Sequence, residues 1–312
     1  MSRRVPMFQT ITLCLALAVP ACGGGDTPAE APEPAADPTA AAPVPIVSGW
    51  ETTEGIETPE SVYVDPGSGF IFSSQIAGAP DGRDGNGRIV KMNGDGTIVE
   101  AGWVTGLNAP KGLRSHEGTL WTADINEIVS IDIETGEIIS RLGIPEAQFL
   151  NDVAVGPDGT VYVSDMMASR IYAIKDGFAT TFAEGEQLEW PNGLLVDGDR
   201  LVVGGWGRPE ADFSTKIPGR LYALDLKDAS KTLITPRPIG NIDGVESDGQ
   251  GGYVVTDWNA GSVLHVNAQG QVRQIQQFSQ GAADFAVVPE RNVMIVPHMP
   301  ENKVAAYELR LE

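Results

Sequence analysis

The chain has 312 residues, a formal net charge of −21 at pH 7 and 42% hydrophobic residues. The strongly acidic balance argues against nucleic-acid binding and against electrostatic attachment to anionic lipid. The only cysteines are Cys14 and Cys22, so the sequence downstream of them has no disulfide and no thiolate metal site.

Residues 1–22 have the pattern of a secretory signal. The chain begins MSRR, and the apolar run from Ile11 to Val19 is too short to span a bilayer. The run ends in Val-Pro-Ala-Cys, which resembles the bacterial lipobox and predicts lipidation of Cys22; a plain secretory signal is the alternative. Because Gly23 follows, we expect a lipid-anchored protein of the bacterial cell envelope, on the periplasmic face of the outer membrane.

Residues 23–45 consist mostly of Ala, Pro, Glu, Gly and Thr. Such a composition buries too little apolar surface to offset the entropy of ordering, and it predicts a semi-extended tether. The folded domain is therefore expected at residues 46–312, and only the lipid anchor would contact a membrane.

A repeat of about forty residues dominates this domain, and residues 150–174 (LNDVAVGPDGTVYVSDMMASRIYAI) show it well. Each copy has a polar first residue, a short apolar strand, a tight turn and further strands rich in Val, Tyr and Thr. The steps between the polar first residues are 51, 40, 41, 51 and 41 residues. Those first residues are Glu60, Lys111, Asn151, Asn192, Asp243 and Asp284.

This pattern predicts an all-β fold, a six-bladed β-propeller with four antiparallel strands in each blade. Helical periodicity of useful length is absent, which disfavours an α/β fold. The sixth copy ends after three strands. We therefore predict that residues 46–50 supply the fourth strand, closing the ring and covering an exposed sheet edge.

The innermost strands of a propeller line its central channel, so their first residues should converge at one end of it. The two steps of 51 residues reflect long loops at 75–87 and 204–219, which we expect to wall or cover this end of the channel. Trp206 would then be a pocket wall or ordinary rim packing.

Four of the converging residues, Glu60, Asn151, Asn192 and Asp243, offer two carboxylates and two amide oxygens. This set suits one hard divalent cation, with Ca²⁺ favoured and Mg²⁺, Mn²⁺ or Zn²⁺ as alternatives. A polar ring without metal, with Lys111 supplying part of the counter-charge, is the alternative.

These residues carry a resemblance to the six-bladed family of gluconolactonase, regucalcin (senescence marker protein) and the squid-type diisopropylfluorophosphatase. Glu60 of TPESV, Asn192 of WPNGL and Asp243 of IDGVE match metal ligands of that family. Asn151 of LNDVA matches an Asn that binds metal in the phosphatase and substrate in the lactonase. His298 of VPHMPENKV matches a pocket His of the phosphatase, with a satisfied loop His as the alternative.

The resemblance implies a catalytic divalent metal, with Asp243 as general base or, in a phosphotriester reaction, as nucleophile. Lys111 has no counterpart in the family; it could hold a substrate carboxylate or phosphate, or pair with Glu60 or Asp284. The catalytic candidates are therefore Asp243, His298 and Lys111. Asp284, Trp206 and Asp152 are pocket candidates, and Asp152 would orient its neighbour Asn151.

The chain also departs from this family. Phe149 stands where regucalcin-like lactonases carry an Arg, so the resemblance does not imply a sugar lactone as substrate. The last repeat lacks the His of the phosphatase's second calcium site, and we predict one metal only. Asp124, Asp165 and Asp257, at the ends of second strands, are expected to cap turns.

The main functional hypothesis is a monomeric, metal-dependent hydrolase of a small-molecule lactone or related ester. The alternative is a non-enzymatic binding propeller displayed at the cell envelope, because the Asp turns resemble those of NHL-type propellers. A condensing enzyme similar to strictosidine synthase is a third hypothesis, and it rests on fold resemblance only.

Overall fold

The computed structural model describes residues 43–311. The predicted signal segment 1–22, the lipidation site Cys22 and residues 23–42 of the predicted tether lie outside the described residues. Within 43–311 the chain forms 24 strands and three short 3₁₀ helices, arranged as six four-stranded antiparallel sheets. The predicted six-bladed β-propeller is thus confirmed. None of the helices described is long and apolar enough to cross a membrane.

The first three blades follow one another along the chain, each running from the innermost to the outermost strand. Blade 1 contains β2 to β5, at Pro59–Val64, Ile71–Gln75, Gly87–Met92 and Ile98–Leu107. Blade 2 contains β6 to β9, at Pro110–His116, Thr119–Asp124, Glu127–Asp132 and Ile138–Gly143. Blade 3 contains β10 to β13, at Leu150–Val155, Val161–Asp165, Arg170–Lys175 and Phe178–Glu184.

The last three blades continue in the same order. Blade 4 contains β14 to β17, at Pro191–Asp197, Arg200–Gly205, Leu221–Asp225 and Lys231–Leu233. Blade 5 contains β18 to β21, at Ile242–Ser247, Tyr253–Asp257, Ser262–Val266 and Val272–Gln277. Blade 6 contains β22 to β24, at Ala286–Val288, Val293–His298 and Lys303–Glu308, with the N-terminal strand β1, at Trp50–Thr52, as its fourth strand. The 3₁₀ helices lie at Glu186–Leu188, Pro289–Arg291 and Met299–Glu301.

The ring is closed by the N-terminal strand, as predicted, although the strand begins later than expected. It spans Trp50–Thr52 and pairs antiparallel with β24, with Trp50 opposite Ala306. The preceding residues run instead along the first blade, where the Val47 N–H donates to the Gly94 carbonyl at 3.1 Å. The closing segment therefore joins blade 6 to blade 1.

Burial explains why the strands of a blade differ in sequence. The inner strand Leu150–Val155 is buried along almost its whole length, whereas the outer strand Ile138–Gly143 is largely exposed. Apolar side chains of neighbouring blades pack face to face, as Phe72 and Ile89 of blade 1 do against Leu113 and Leu120 of blade 2. The core is thus six inter-blade layers around the channel.

A register break follows the first residue of each inner strand in blades 1 to 5. Such an irregularity re-aims a side chain without ending the strand. The breaks lie between Pro59 and Ser61, Pro110 and Leu113, Leu150 and Val153, Pro191 and Leu194, and Ile242 and Val245. In each of these strands the first residue is paired, and the residue that follows it lies within the register break. These following residues are the polar residues selected from the repeat: Glu60, Lys111, Asn151, Asn192 and Asp243.

The sixth blade corrects the prediction by one residue. Ala282 pairs with His298, as Leu150 pairs with Asp165 in blade 3. The sixth ring position is therefore Ala283, and Asp284 corresponds to Asp152 rather than to Asn151. A shift of one residue moves a strand's side chain to the opposite face. Asp284 is thus not a ring residue, and the polar character used to align the sixth copy was misleading.

Candidate functional site

The residues after the five register breaks meet in one cavity at the end of the channel. We call Glu60, Lys111, Asn151, Asn192 and Asp243 the polar ring. All five are buried, and all five line a cavity of about 200 Å³. The fold therefore brings together the four residues that the sequence selected as metal ligands, together with Lys111.

Unsatisfied oxygen atoms distinguish this cavity. Four buried side-chain atoms in the described part of the chain have no hydrogen-bond partner, and three of them belong to the polar ring: Glu60 Oε2, Asn192 Oδ1 and Asp243 Oδ1. Leaving a buried acceptor unpaired costs about 1–3 kcal/mol, and more for a charged group. Three such atoms in one cavity are the arrangement expected of a cation-binding site.

The electrostatics of the two carboxylates point the same way. Burial raises the pKa of Glu60 well above its ordinary value, and the neighbouring Asp243 raises it further. Burial also raises the pKa of Asp243, with Asp284 and Asp257 adding repulsion. A cation bound between the two carboxyl groups would stabilise their ionised forms and lower both pKa values.

The donor set fits a hard divalent cation. Within residues 43–311 no three His, Cys, Asp or Glu side chains group closely enough to hold a metal, so a cation would depend on the two amide oxygens as well. Two carboxylates with Asn151 and Asn192 form an all-oxygen set of the kind that Ca²⁺ and Mg²⁺ take. A zinc ion would favour His or Cys, which the polar ring lacks.

Lys111 lies in the ring without a direct carboxylate partner. Its Nζ donates to the carbonyl oxygens of Ala109 and Pro80, both at 2.9 Å, and lies 4.6 Å from the centre of the Phe149 ring. None of the ion pairs among residues 43–311 includes Lys111. Burial lowers the pKa of Lys111 to about 8, against the opposing pull of Glu60. The expected pairing with Glu60 or Asp284 is therefore not seen.

Asp152 and Asp284 support the ring from outside the cavity wall. Asp152 accepts hydrogen bonds from the N–H groups of Val153 and Leu194, each at 2.6 Å, and so links blades 3 and 4 beside the two ring asparagines. Burial raises the pKa of Asp152 to about 7. Asp284 accepts from Ser61 Oγ at 2.5 Å and from the Phe285 N–H at 3.0 Å, linking blades 6 and 1.

His298 does not line the cavity. Its Nε2 lies 2.9 Å from the hydroxyl of Tyr307, and its ring packs edge-on against Phe278 with centroids 4.8 Å apart. Burial lowers the pKa of His298 to about 4. The structure thus places this predicted catalytic residue among packed aromatic side chains, apart from the polar ring.

Sequence reasoning missed a second, apolar ring. The residue directly after the second strand of every blade is apolar, and these residues are Ile76, Ile125, Met166, Trp206, Trp258 and Met299. Four of them, Met166, Trp206, Trp258 and Met299, line the cavity. Only Trp206 was selected from the sequence, although an apolar residue occurs at this place in all six copies.

Loops complete the wall. The long loops at 75–87 and 204–219 reach the cavity through Pro80 and Phe213, as expected. Phe149 is held in place because Asp165 accepts its backbone N–H at 2.9 Å. Asp124 accepts the N–H groups of Asn108 and Ala109 in the same way, so these Asp residues fix the segment that leads into the inner strand.

Comparisons with known proteins agree on the fold. No protein-family model matches the chain, and no curated protein sequence matches it. Among solved structures, virginiamycin B lyase from Staphylococcus aureus, an inactive variant with quinupristin, aligns with a TM-score of 0.58 at 15% identity, covering 84% of this chain and 98% of that one. XC5397 from Xanthomonas campestris, described as a gluconolactonase, aligns with a TM-score of 0.59 at 16% identity, covering 81% and 86%. At such identities the likeness establishes the propeller fold alone.

Proposed function

We propose that the protein is a divalent-metal-dependent hydrolase of a lactone or related ester, acting in the cavity of the polar ring. The observation that carries this proposal is the convergence of three buried, unpartnered oxygen atoms on Glu60, Asn192 and Asp243. Structural neighbours that include a gluconolactonase and a lyase make hydrolase or lyase chemistry plausible on this scaffold.

Each ring residue has a defined part. Glu60, Asn151, Asn192 and Asp243 would hold the cation, whose chemistry is to polarise the substrate carbonyl and to acidify a water molecule. Lys111 spends two of its three N–H donors on backbone carbonyls. The remaining donor can stabilise the negative charge that develops on the carbonyl oxygen.

The proton balance of hydrolysis runs through Asp243. The water oxygen bonds to the carbonyl carbon while Asp243 accepts a proton from that water. The acyl–oxygen bond then breaks, and Asp243 passes its proton to the leaving alkoxide, which gives a hydroxyl group and a carboxylic acid; the acid ionises to a carboxylate by releasing the second proton of the water to solvent. The surrounding apolar side chains exclude bulk water from these steps.

The test uses the full chain stripped of metal by a chelator and then supplied with Ca²⁺, Mg²⁺, Mn²⁺ or Zn²⁺ in turn. Hydrolysis of a panel of lactones, aryl esters and phosphotriesters should depend on the added cation. Asp243→Asn should lower kcat by about 10²–10⁴. Asp248→Asn is the matched control, because that buried carboxylate accepts from backbone N–H groups and does not line the cavity.

The kcat of Asp248→Asn should remain within about tenfold of that of the parent protein. Undiminished activity in Asp243→Asn would contradict the assignment of the base. Failure of every cation to support hydrolysis of any panel member would favour a binding propeller without catalysis.

A further inference from the structure

We infer that the substrate of this site is an ester or lactone that carries an apolar hydrocarbon group, and not a polyhydroxylated sugar lactone. This inference rests on the proposed function and concerns the part of the substrate that lies beyond the scissile bond. It follows from the wall opposite the polar ring, which consists of Phe149, Met166, Trp206, Phe213, Trp258 and Met299 together with Pro80.

The wall is a continuous aromatic and thioether surface. Phe149 and Phe213 have ring centroids 5.8 Å apart, and Trp206 and Trp258 have theirs 6.1 Å apart. Phe149, Met166 and Trp206 form one buried cluster. Faces of this kind gain free energy by covering hydrocarbon and gain nothing from a hydroxyl group.

Several polar atoms in the wall already have hydrogen-bond partners. Trp206 Nε1 donates to the Phe213 carbonyl at 3.0 Å, and Gln280 Nε2 donates to Asn259 Oδ1 at 3.1 Å. The Asp212 carboxylate accepts from the N–H and hydroxyl of Ser214. A polyol bound here would leave several hydroxyl groups without partners, which is unfavourable in an apolar site.

Three of the four fully buried side-chain atoms without a hydrogen-bond partner in the described part of the chain lie at the polar ring. Lys111 and the unpartnered oxygens of Glu60, Asn192 and Asp243 all lie there. The ester carbonyl must therefore face the ring, and the rest of the molecule must face the wall. The cavity of about 200 Å³ is smaller than drug-sized pockets of about 300–1,000 Å³, so it fits one small ring with a short alkyl chain.

The first test compares substrates on the full chain with its activating cation. The substrates are δ-lactones with alkyl chains of one to six carbons, and they are compared with glucono-1,5-lactone. Each added methylene should raise kcat/KM about fourfold until the cavity is filled, and gluconolactone should be at least about 100-fold poorer than the best alkyl lactone. Equal or faster hydrolysis of gluconolactone would overturn the inference and leave the proposed function intact.

The second test needs neither cation nor turnover. Butylcyclohexanone, an unreactive analogue of an alkyl lactone, is titrated while the fluorescence of the protein's tryptophans is followed, since Trp206 and Trp258 line the cavity. Phe149→Arg should weaken binding at least tenfold. Phe178→Arg is the matched control, because Phe178 is 75% exposed and is absent from the wall. If Phe149→Arg does not fold, Met299→Gln should weaken binding in its place.

The outcomes separate the two proposals. Tight ketone binding without hydrolysis of any lactone would overturn the proposed function, whereas the apolar preference of the wall would stand. Ketone binding that is absent, or that Phe149→Arg leaves unchanged, would overturn the inference about the wall.

Discussion

Buried carboxylates without partners are costly to a folded protein, and Glu60 and Asp243 are two of them in one cavity. Their oxygens Oε2 and Oδ1 lack hydrogen-bond partners, and burial followed by mutual repulsion raises the pKa of Glu60. Such a site is retained at the expense of stability when its charges serve a ligand. The metal-free protein should therefore be strained at these residues.

Asp243→Asn should stabilise the metal-free protein, because it removes one of the two buried carboxylates. Because burial and the neighbouring carboxylates raise the pKa of Asp243, its ionised form is destabilised in the fold, and we expect the variant to have the higher free energy of unfolding at neutral pH. Urea unfolding in the presence of a chelator measures it. Asp165→Asn should instead lose about 1–3 kcal/mol, because it gives up bonds to backbone N–H groups. A loss of stability in Asp243→Asn would argue against the account.

His298 should make stability depend on pH. Its pKa in the folded protein is lowered to about 4, from an ordinary 6.5, chiefly by burial. Between these values the unfolded chain binds more protons than the folded one, so this residue's contribution to stability falls as pH drops from 6.5 to 4. Thermal unfolding of His298→Gln and the parent across this range should show a shallower acid loss in the variant. Parallel profiles would contradict the burial of a neutral imidazole.

At the scale of the strand, one repeated irregularity builds the site. The register break at the start of each inner strand turns the next side chain toward the end of the channel, and the residue after each second strand adds an apolar neighbour. Blades 1 to 5 thus each contribute one polar residue to the cavity, and blades 3 to 6 each contribute one apolar residue.

The closing strand is short and pairs with one neighbouring strand only. It has three residues, and Trp50 anchors it by donating from Nε1 to the Gly94 carbonyl at 3.1 Å. Gly96 has φ +83°, and a Cβ there would lie 2.3 Å from the Trp50 ring, so only glycine fits under the indole.

Trp50→Ala should therefore destabilise the propeller by about 3 kcal/mol, through lost packing and a freed sheet edge. Chemical denaturation measures the loss. Val99→Ala, at a side chain that is 49% exposed on the outer strand of blade 1, should change stability by less than about 0.5 kcal/mol. Equal effects of the two variants would show that the closing strand does not hold the ring.

At the scale of the whole molecule, the channel is crossed by one guanidinium. Arg114 of blade 2 forms an ion pair with Glu246 of blade 5 at 2.8 Å, and its Nη2 lies 3.4 Å from the Leu194 carbonyl of blade 4. Asp152 and Asp284 add negative charge around it. This ion pair therefore links blade 2 to blade 5, which are not neighbours in the ring.

Arg114→Met should cost about 3–5 kcal/mol, because it leaves buried carboxylates without their counter-charge. Adding Glu246→Gln in the same chain should recover part of that loss, and a double-mutant cycle on unfolding free energies measures the coupling. Additive losses would mean that the pair does not act across the channel.

The sequence predicted the propeller and five ring positions because turns and inner strands repeat at a nearly fixed spacing. It misplaced the sixth position, since Asp284 is polar for a different reason, its bonds to Ser61 and Phe285. His298 fits the alternative of a loop His with a hydrogen-bond partner, because its Nε2 lies 2.9 Å from the hydroxyl of Tyr307 on the next strand of the same blade, and its catalytic role stays a prediction. Trp258 was overlooked although it follows a second strand as Trp206 does, whereas Phe149 and Phe213 could not be placed in the wall from spacing alone, because loop conformation brings them there.

Calorimetric titration of Ca²⁺ into the full chain, after removal of metal, tests whether the polar ring binds a cation. We expect one binding site, abolished in Glu60→Gln and Asp243→Asn and retained in Asp165→Asn. Absence of binding heat with Ca²⁺, Mg²⁺, Mn²⁺ and Zn²⁺, in protein that circular dichroism shows to be folded, would contradict this expectation.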